Sequence, residues 1–218
     1  MQADLPCARP PRAVLDGCYA RLEPISAAHA PALYEVSTGQ GADARFAYLF
    51  DEPPRSLDAM RAWIARAAAA EDQFYSAVID KAAGRVAGRQ ALMRIVPEHG
   101  VIEIGNILWG PAISRTRVAT EALYLAARHV FEDLGYRRFE WKCNDRNEPS
   151  KSAALRFGFS HEGLFRQHMW VKGANRDTAW FSMLDREWPG LKKEYERWLA
   201  PGNFDAAGRQ RTKLQHAP

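Results

Sequence analysis

Cysteine is scarce in this chain of 218 residues, and the three present (Cys7, Cys18 and Cys143) form no CxxC pair. An odd count without paired spacing argues against a disulfide framework and against a zinc site, and no metal is expected. No hydrophobic run approaches the length of a membrane span. The first residues, Met1 to Pro11, lack an apolar signal core, so a cytoplasmic protein with no membrane partner is the expectation. Lys and Arg number 30 against 26 Asp and Glu, for a net charge of +4, and no run of five basic residues occurs. Much of the excess sits at the ends, at Arg9, Arg12, Arg209, Arg211 and Lys213. A nucleic-acid footprint is therefore not expected.

What is present suits one globular domain. The chain is 47% hydrophobic, enough to bury a single core. Residues 1–16 hold three prolines and read as an arm, 17–199 as the domain, and 200–218 as a loose polar tail. Cys18, Ala20 and Leu22 alternate with polar neighbours up to Pro24, which predicts a first strand. Ser26 and Ser56 sit where caps would start helices running to about Thr38 and from Leu57 to Ala70. From Gln73 the period changes to two, predicting strands over Phe74–Ile79, Val86–Ile95 and Val101–Trp109. Val118–Leu134 has helical spacing and ends at Gly135. Then follow a strand over Tyr136–Cys143, a short helix over Asn147–Phe157, strands over Phe159–Trp170 and Thr178–Leu184, and a helix over Glu187–Leu199. That order predicts a mixed α/β (α+β) domain with one partly antiparallel sheet, not a doubly wound fold.

Two strand-to-helix junctions could carry chemistry. The first runs from Ile107-Leu108-Trp109-Gly110-Pro111 into the helix at Val118. Free backbone N–H groups and a positive dipole end can hold an anion there, with Arg115 and Arg117 beside hydroxyls from Thr116 and Thr120. An ordinary solvated turn explains the same residues. The second is Asn144-Asp145-Arg146-Asn147-Glu148-Pro149-Ser150. Asn147 or Asp145 could cap the helix, or Asn147 and Ser150 could bind an amide-bearing ligand.

Several segments, in order, resemble the GNAT N-acetyltransferases, and within them the ribosomal-protein alanine acetyltransferase branch. They are Tyr19 to Pro24, Ile104 to Pro111, Ala119-Thr120-Glu121-Ala122, Asn147 and Ser150 followed by Gly158-Phe159, Gly163 to Arg166, Arg176 to Thr178, and Glu187-Trp188. The resemblance covers about Gly17 to Trp188. It implies a single twisted, mostly antiparallel sheet, splayed between its fourth and fifth strands and flanked by helices. It implies acetyl-CoA as co-substrate in that wedge. Ile107 and Leu108 would hold the pantetheine arm. Arg115, Thr116, Arg117, Val118, Ala119 and Thr120 would hold the pyrophosphate, and Asn147 and Ser150 would also contact the coenzyme. The acceptor would be a small-molecule amine or a peptide N-terminus, and a homodimer is expected by analogy alone. The chain departs from the family's loop pattern. Ser114 fills its first slot, Arg117 replaces a glycine, and Ala119 fills the last.

Acetyl transfer to an amine needs a proton acceptor. Glu103, in an apolar strand and in phase with Gly105 and Ile107, is the candidate base; a structural hydrogen bond is the alternative. The slot where many relatives carry a tyrosine acid holds Ala154. His161 and His168 are alternatives. Asn106, Trp109 and Trp141 are candidate acceptor contacts, with Trp170, Trp180 and Tyr124 as further aromatics that could equally be core. Arg176-Asp177 is read as a structural ion pair that could also shape the acceptor site. A non-catalytic acyl-CoA-binding module is the competing reading.

Overall fold

The computed structural model describes residues 5–215. An eight-stranded sheet runs in the order β1 (Leu15–Asp16), β2 (Ala20–Pro24), β3 (Gln73–Asp80), β4 (Arg85–Val96), β5 (Val101–Trp109), β6 (Arg138–Asn144), β8 (Ala174–Leu184), β7 (Ser160–Val171). Every neighbouring pair is antiparallel except β5 and β6. That one parallel pair needs a crossover, which α4 (Arg117–Arg128) supplies. The mixed, mostly antiparallel sheet agrees with the expectation. The fourth and fifth strands counted from Ala20 are β5 and β6, because β1 is an extra two-residue strand ahead of them.

Helices cover both faces. On one, α1 (Ala30–Thr38) and α3 (Leu57–Ala69) bury Leu33, Met60 and Ile64 against Tyr75 and Ala91 of the sheet. On the other, α4 packs with α6 (Trp188–Leu199) over a larger core containing Leu123, Phe139, Phe181 and Tyr195. All residues from Val118 to Ala127 are buried, so α4 is not amphipathic in place; sheet and α6 sandwich it. Its last turn widens into a π-helix at His129–Asp133 before Gly135 turns with φ +70°. Deleting a fully buried side chain here, such as Leu123, would cost about 2–5 kcal/mol.

Glu121 ties this helix to the first strands. Its carboxylate is 4% exposed and accepts the backbone N–H groups of Cys18, Tyr19 and Ala20 at 2.9, 2.5 and 2.6 Å. A Cβ at Gly17 would lie 2.6 Å from that carboxylate, so the turn needs glycine. The matched segment Ala119 to Ala122 thus contains a structural acid.

Both ends depart from the expectation of arm and loose tail. Cys7 is buried, and its N–H donates to the Pro97 carbonyl at 3.0 Å. Leu15–Asp16 joins the sheet. In the tail, Phe204 is buried beside Trp198 and Tyr19, and Asn203 accepts from Thr212. The tail is polar on average and the first segment is proline-rich, but a few apolar anchors fix both.

Candidate active site

The strands β5 and β6 pair only from Val101↔Arg138 to Ile104↔Trp141, then separate. The cause is local. On the other edge of β5, Asn106 and Ile107 together oppose Gln90 of β4, since Arg89 pairs with Leu108 and Ala91 with Gly105. This bulge carries Asn106 at φ 50° and bends the strand. The separated backbones open a cavity whose walls include Gly105 to Ile107 of β5 and Trp141 to Asn144 of β6.

Of the residues singled out from sequence, Glu103, Asn106, Ile107, Trp141, Asn147 and Ser150 line this one cavity. Asn147 caps α5 (Glu148–Arg156), its Oδ1 accepting from the Ser150 N–H at 3.1 Å. Ser150 Oγ then accepts from Trp141 Nε1 at 3.0 Å, so the helix start is anchored to β6. Asn106 is committed: its amide donates to Gln73 Oε1 at 2.9 Å and to the Tyr75 hydroxyl at 2.7 Å.

Other candidates lie elsewhere. Leu108 is buried in the core. Trp109 stacks edge-on against Phe157 and donates to Gln90 Oε1 at 3.2 Å, away from the cavity lining. Leu108 and Trp109 lie beyond the bulge, where β5 pairs with Arg89 and Gly88 of β4. Tyr124 packs on Trp188 and Tyr195, with its hydroxyl pushed up to about 12 by burial and by Glu196. Trp170 is exposed, Trp180 lies under Lys142, and His161 stacks on Phe181. Ala154 is fully buried.

The loop from Gly110 to Thr116 leads into α4 near the open end of β5. Thr116 Oγ1 caps the helix by accepting from the Val118 N–H at 3.2 Å. Arg115 sits at φ 63° with its side chain exposed. Among the described residues the N–H groups of Arg115, Arg117 and Ala119 have no hydrogen-bond partner. Thr120 is engaged, donating to the Thr116 carbonyl and accepting from Arg156. The Arg117 guanidinium turns onto the rings of Tyr19 and Phe204, at 4.3 and 5.1 Å.

The electrostatics centre on Glu103. It is 5% exposed, and its Oε2 meets Lys142 Nζ at 2.9 Å and Arg94 Nε at 3.2 Å. Lys142 also holds Glu140 at 2.8 Å. Burial raises the Glu103 pKa, against the opposing pull of Lys142 and Arg94. His168 lines the same cavity, with Nδ1 2.9 Å from Thr178 Oγ1. Burial lowers its pKa, and Arg94, Arg176 and Lys142 add to the effect. Cys143 is a buried thiol whose pKa burial raises, which suits a filler.

Sequence reading passed over the far wall of the cavity. Arg45, Tyr48 and Phe50 come from α2 (Ala42–Phe46) and the loop after it, and Met169 comes from β7. Lys172, in the β7–β8 turn, clamps that loop by donating to the carbonyls of Phe46 and Asp51 at 3.0 and 2.8 Å. Arg176 also lines the cavity and does not pair with Asp177, as had been expected. Successive strand residues face opposite sides, and Asp177 instead accepts from the Gln167 N–H and Asn175.

Residues 20–160 match the acetyltransferase (GNAT) domain profile. The chain belongs to the GNAT acetyltransferase family. A GCN5-related N-acetyltransferase from Brucella melitensis is similar in structure, at 54% identity and a TM-score of 0.96, covering 99% of this chain and 98% of that one. Among curated relatives, the uncharacterized N-acetyltransferase p20 of Bacillus licheniformis is 32% identical over 52% of this chain and 63% of its own length. A Bacillus subtilis (strain 168) protein provisionally named ribosomal N-acetyltransferase YdaF is 33% identical over 34% of this chain and 41% of its own length. The matches thus span less than two thirds of either curated relative. The name of the second is in line with the ribosomal-protein branch that the sequence motifs resemble. GNAT members use acetyl-CoA. Among the described residues, no group of His, Cys, Asp and Glu could hold a metal ion, and no helix could cross a membrane.

Proposed function

We propose that this chain moves an acetyl group from acetyl-CoA to a primary amine by direct transfer in a ternary complex. The observation that carries this reading is the early separation of β5 from β6, which leaves unpaired strand backbone facing a cavity that also holds a buried carboxylate. Acetyl-CoA supplies an acyl group on a thiol leaving group. The free N–H groups at Arg115, Arg117 and Ala119 suit its pyrophosphate, and the exposed Arg115 adds charge. Ile107 and the start of α5 at Asn147 and Ser150 flank the path of its arm. Strand N–H groups freed by the splay stabilise the carbonyl oxygen as negative charge builds on it.

In the reaction the amine nitrogen bonds to the acyl carbon and the carbon–sulfur bond breaks. The electron pair leaves with the thiolate. The nitrogen's extra proton goes to Glu103, directly or through a water. With Ala154 in the slot of the family's tyrosine acid, the thiolate departs without a side-chain acid, as the modest basicity of thiolates allows. The acceptor class is a small amine or a protein N-terminus, the latter in keeping with the ribosomal name of one relative.

The test is thiol release from acetyl-CoA across amines and N-terminal peptides, for the native protein and Glu103→Gln. Release with one acceptor class, lowered about 100-fold or more in the variant, supports the reading and the base. Failure to bind acetyl-CoA at all would refute it.

A further inference from the structure

Four cations line the cavity, and three are accounted for. Lys142 bridges Glu103 and Glu140. Arg94 meets Glu103. Arg45 spends its two terminal nitrogens on the carbonyls of Val36, Gly39 and Gln40, although its Nε too has no hydrogen-bond partner. Arg176 differs. It projects from β8 with 7% of its surface exposed, and its buried Nε has no hydrogen-bond partner. Among the described residues it makes no ion pair within 4 Å; its guanidinium lies over the Phe50 ring at 4.7 Å, and Glu103 and Cys143 act on it only at longer range. Burial lowers its pKa, and the more distant charge of Glu103 offsets that only in part, so the guanidinium has no hydrogen-bonded anion of its own. The neighbouring acid that could have satisfied it, Asp177, is turned to the opposite side.

We propose that the acceptor amine carries a carboxylate, and that Arg176 is the specificity residue that holds it. The proposal rests on the acetyl-transfer reading above. One free guanidinium balances one negative charge, which fits a carboxylate better than a dianionic phosphate. The planar fork matches a carboxylate's two oxygens. The amine end of the same molecule then faces Glu103 and His168, which share the cavity with Arg176. The carboxylate could be the main-chain group of a free amino acid or an acidic side chain near a peptide N-terminus.

The experiment measures kcat/KM for matched acceptors with and without the charge. Alanine is compared with alaninamide, and Ala-Asp with Ala-Asn in C-terminally amidated pentapeptides. Native protein, Arg176→Gln and Arg176→Lys are used, with coenzyme affinity and circular dichroism as folding controls. The expected result is a preference of about 10- to 100-fold for the charged member of one pair, carried by KM. It collapses to near unity in Arg176→Gln and returns in part in Arg176→Lys. The pair that responds identifies the source of the carboxylate. An unchanged preference in Arg176→Gln overturns the proposal. So does an equal loss of coenzyme affinity, which would assign Arg176 to acetyl-CoA. If no amine is acetylated, the transferase reading fails, and calorimetry with N-acetylalanine and its amide reads the carboxylate site directly. Equal binding of the two would then overturn it. Should Arg176→Gln not fold, the native and Arg176→Lys comparisons still decide.

Discussion

Replacing Glu121 by Gln removes one charge and almost no volume, yet the structure assigns it a large effect. Oε2 accepts from Tyr19 and Ala20, and Oε1 from Cys18, in a site 4% exposed. A glutamine can keep its oxygen on the first two donors. Its NH2 then faces the Cys18 N–H, donor against donor, leaving a buried amide unsatisfied at about 1–3 kcal/mol. The two retained bonds fall from charged to neutral strength, a loss of about 1 kcal/mol each. The sum is about 3–5 kcal/mol, which for a domain of this size lowers Tm by about 10 °C. Thermal unfolding followed by circular dichroism reads this directly. The exposed Glu35→Gln serves as control and is expected to shift stability by less than about 0.5 kcal/mol. A Glu121→Gln Tm within about 2 °C of native would refute the argument that this carboxylate holds the β1–β2 turn onto α4.

Three further outcomes follow from the electrostatics. If Glu103 is the base, activity needs its carboxylate form, so burial places the acid limb of kcat/KM above the ordinary 4.5. A limb set by His168 would lie below 6.5, and comparing Glu103→Gln with His168→Gln shows which variant abolishes it. Arg117→Ala should cost about 1 kcal/mol in urea unfolding, through the lost stacking on Tyr19 and Phe204, and leave the Kd for coenzyme within about threefold. A tenfold loss of affinity would place the guanidinium on the phosphates instead. Glu162, held down to about 2 by Arg138, contributes stability that is complete above its unfolded value of 4.5 and is lost as pH falls through about 2. Arg138→Gln should therefore move the acid-unfolding midpoint to higher pH, measured by fluorescence.

Much of this architecture could be read from residue patterns because its signals are local. Val101–Trp109, an apolar run between the turn at Gly100 and Gly110-Pro111, is β5 to the residue. Asn147 and Ser56 carry caps that the side chains make. What stayed hidden depends on contacts between distant segments. The five-residue α2 is too short to show a period, and it follows a glycine-rich turn. The bulge opposite Gln90 leaves no mark in composition, yet it sets Asn106 at φ 50° in the cavity wall. Within the site, Asn147 and Ser150 are legible as members of a spaced motif, Glu103 as an acid in an apolar strand, and Trp141 as a strand aromatic. For Arg176, adjacency to Asp177 suggests an ion pair that strand geometry forbids, while the alternative that it shapes the site agrees with its place in the cavity wall.

The four-residue parallel contact between β5 and β6 also divides the sheet into two blocks. Strands β1 to β5 form one and β6 to β8 the other, and each is built wholly from antiparallel ladders. The first block pairs its strands in chain order, whereas in the second α5 carries the chain from β6 to β7 and β8 then fills the place between them. The seam between the blocks can form only after α4 has carried the chain across. Amide hydrogen exchange should therefore divide along that line, with the seam amides of Ile102 to Ile104 opening in smaller, cheaper fluctuations than either block.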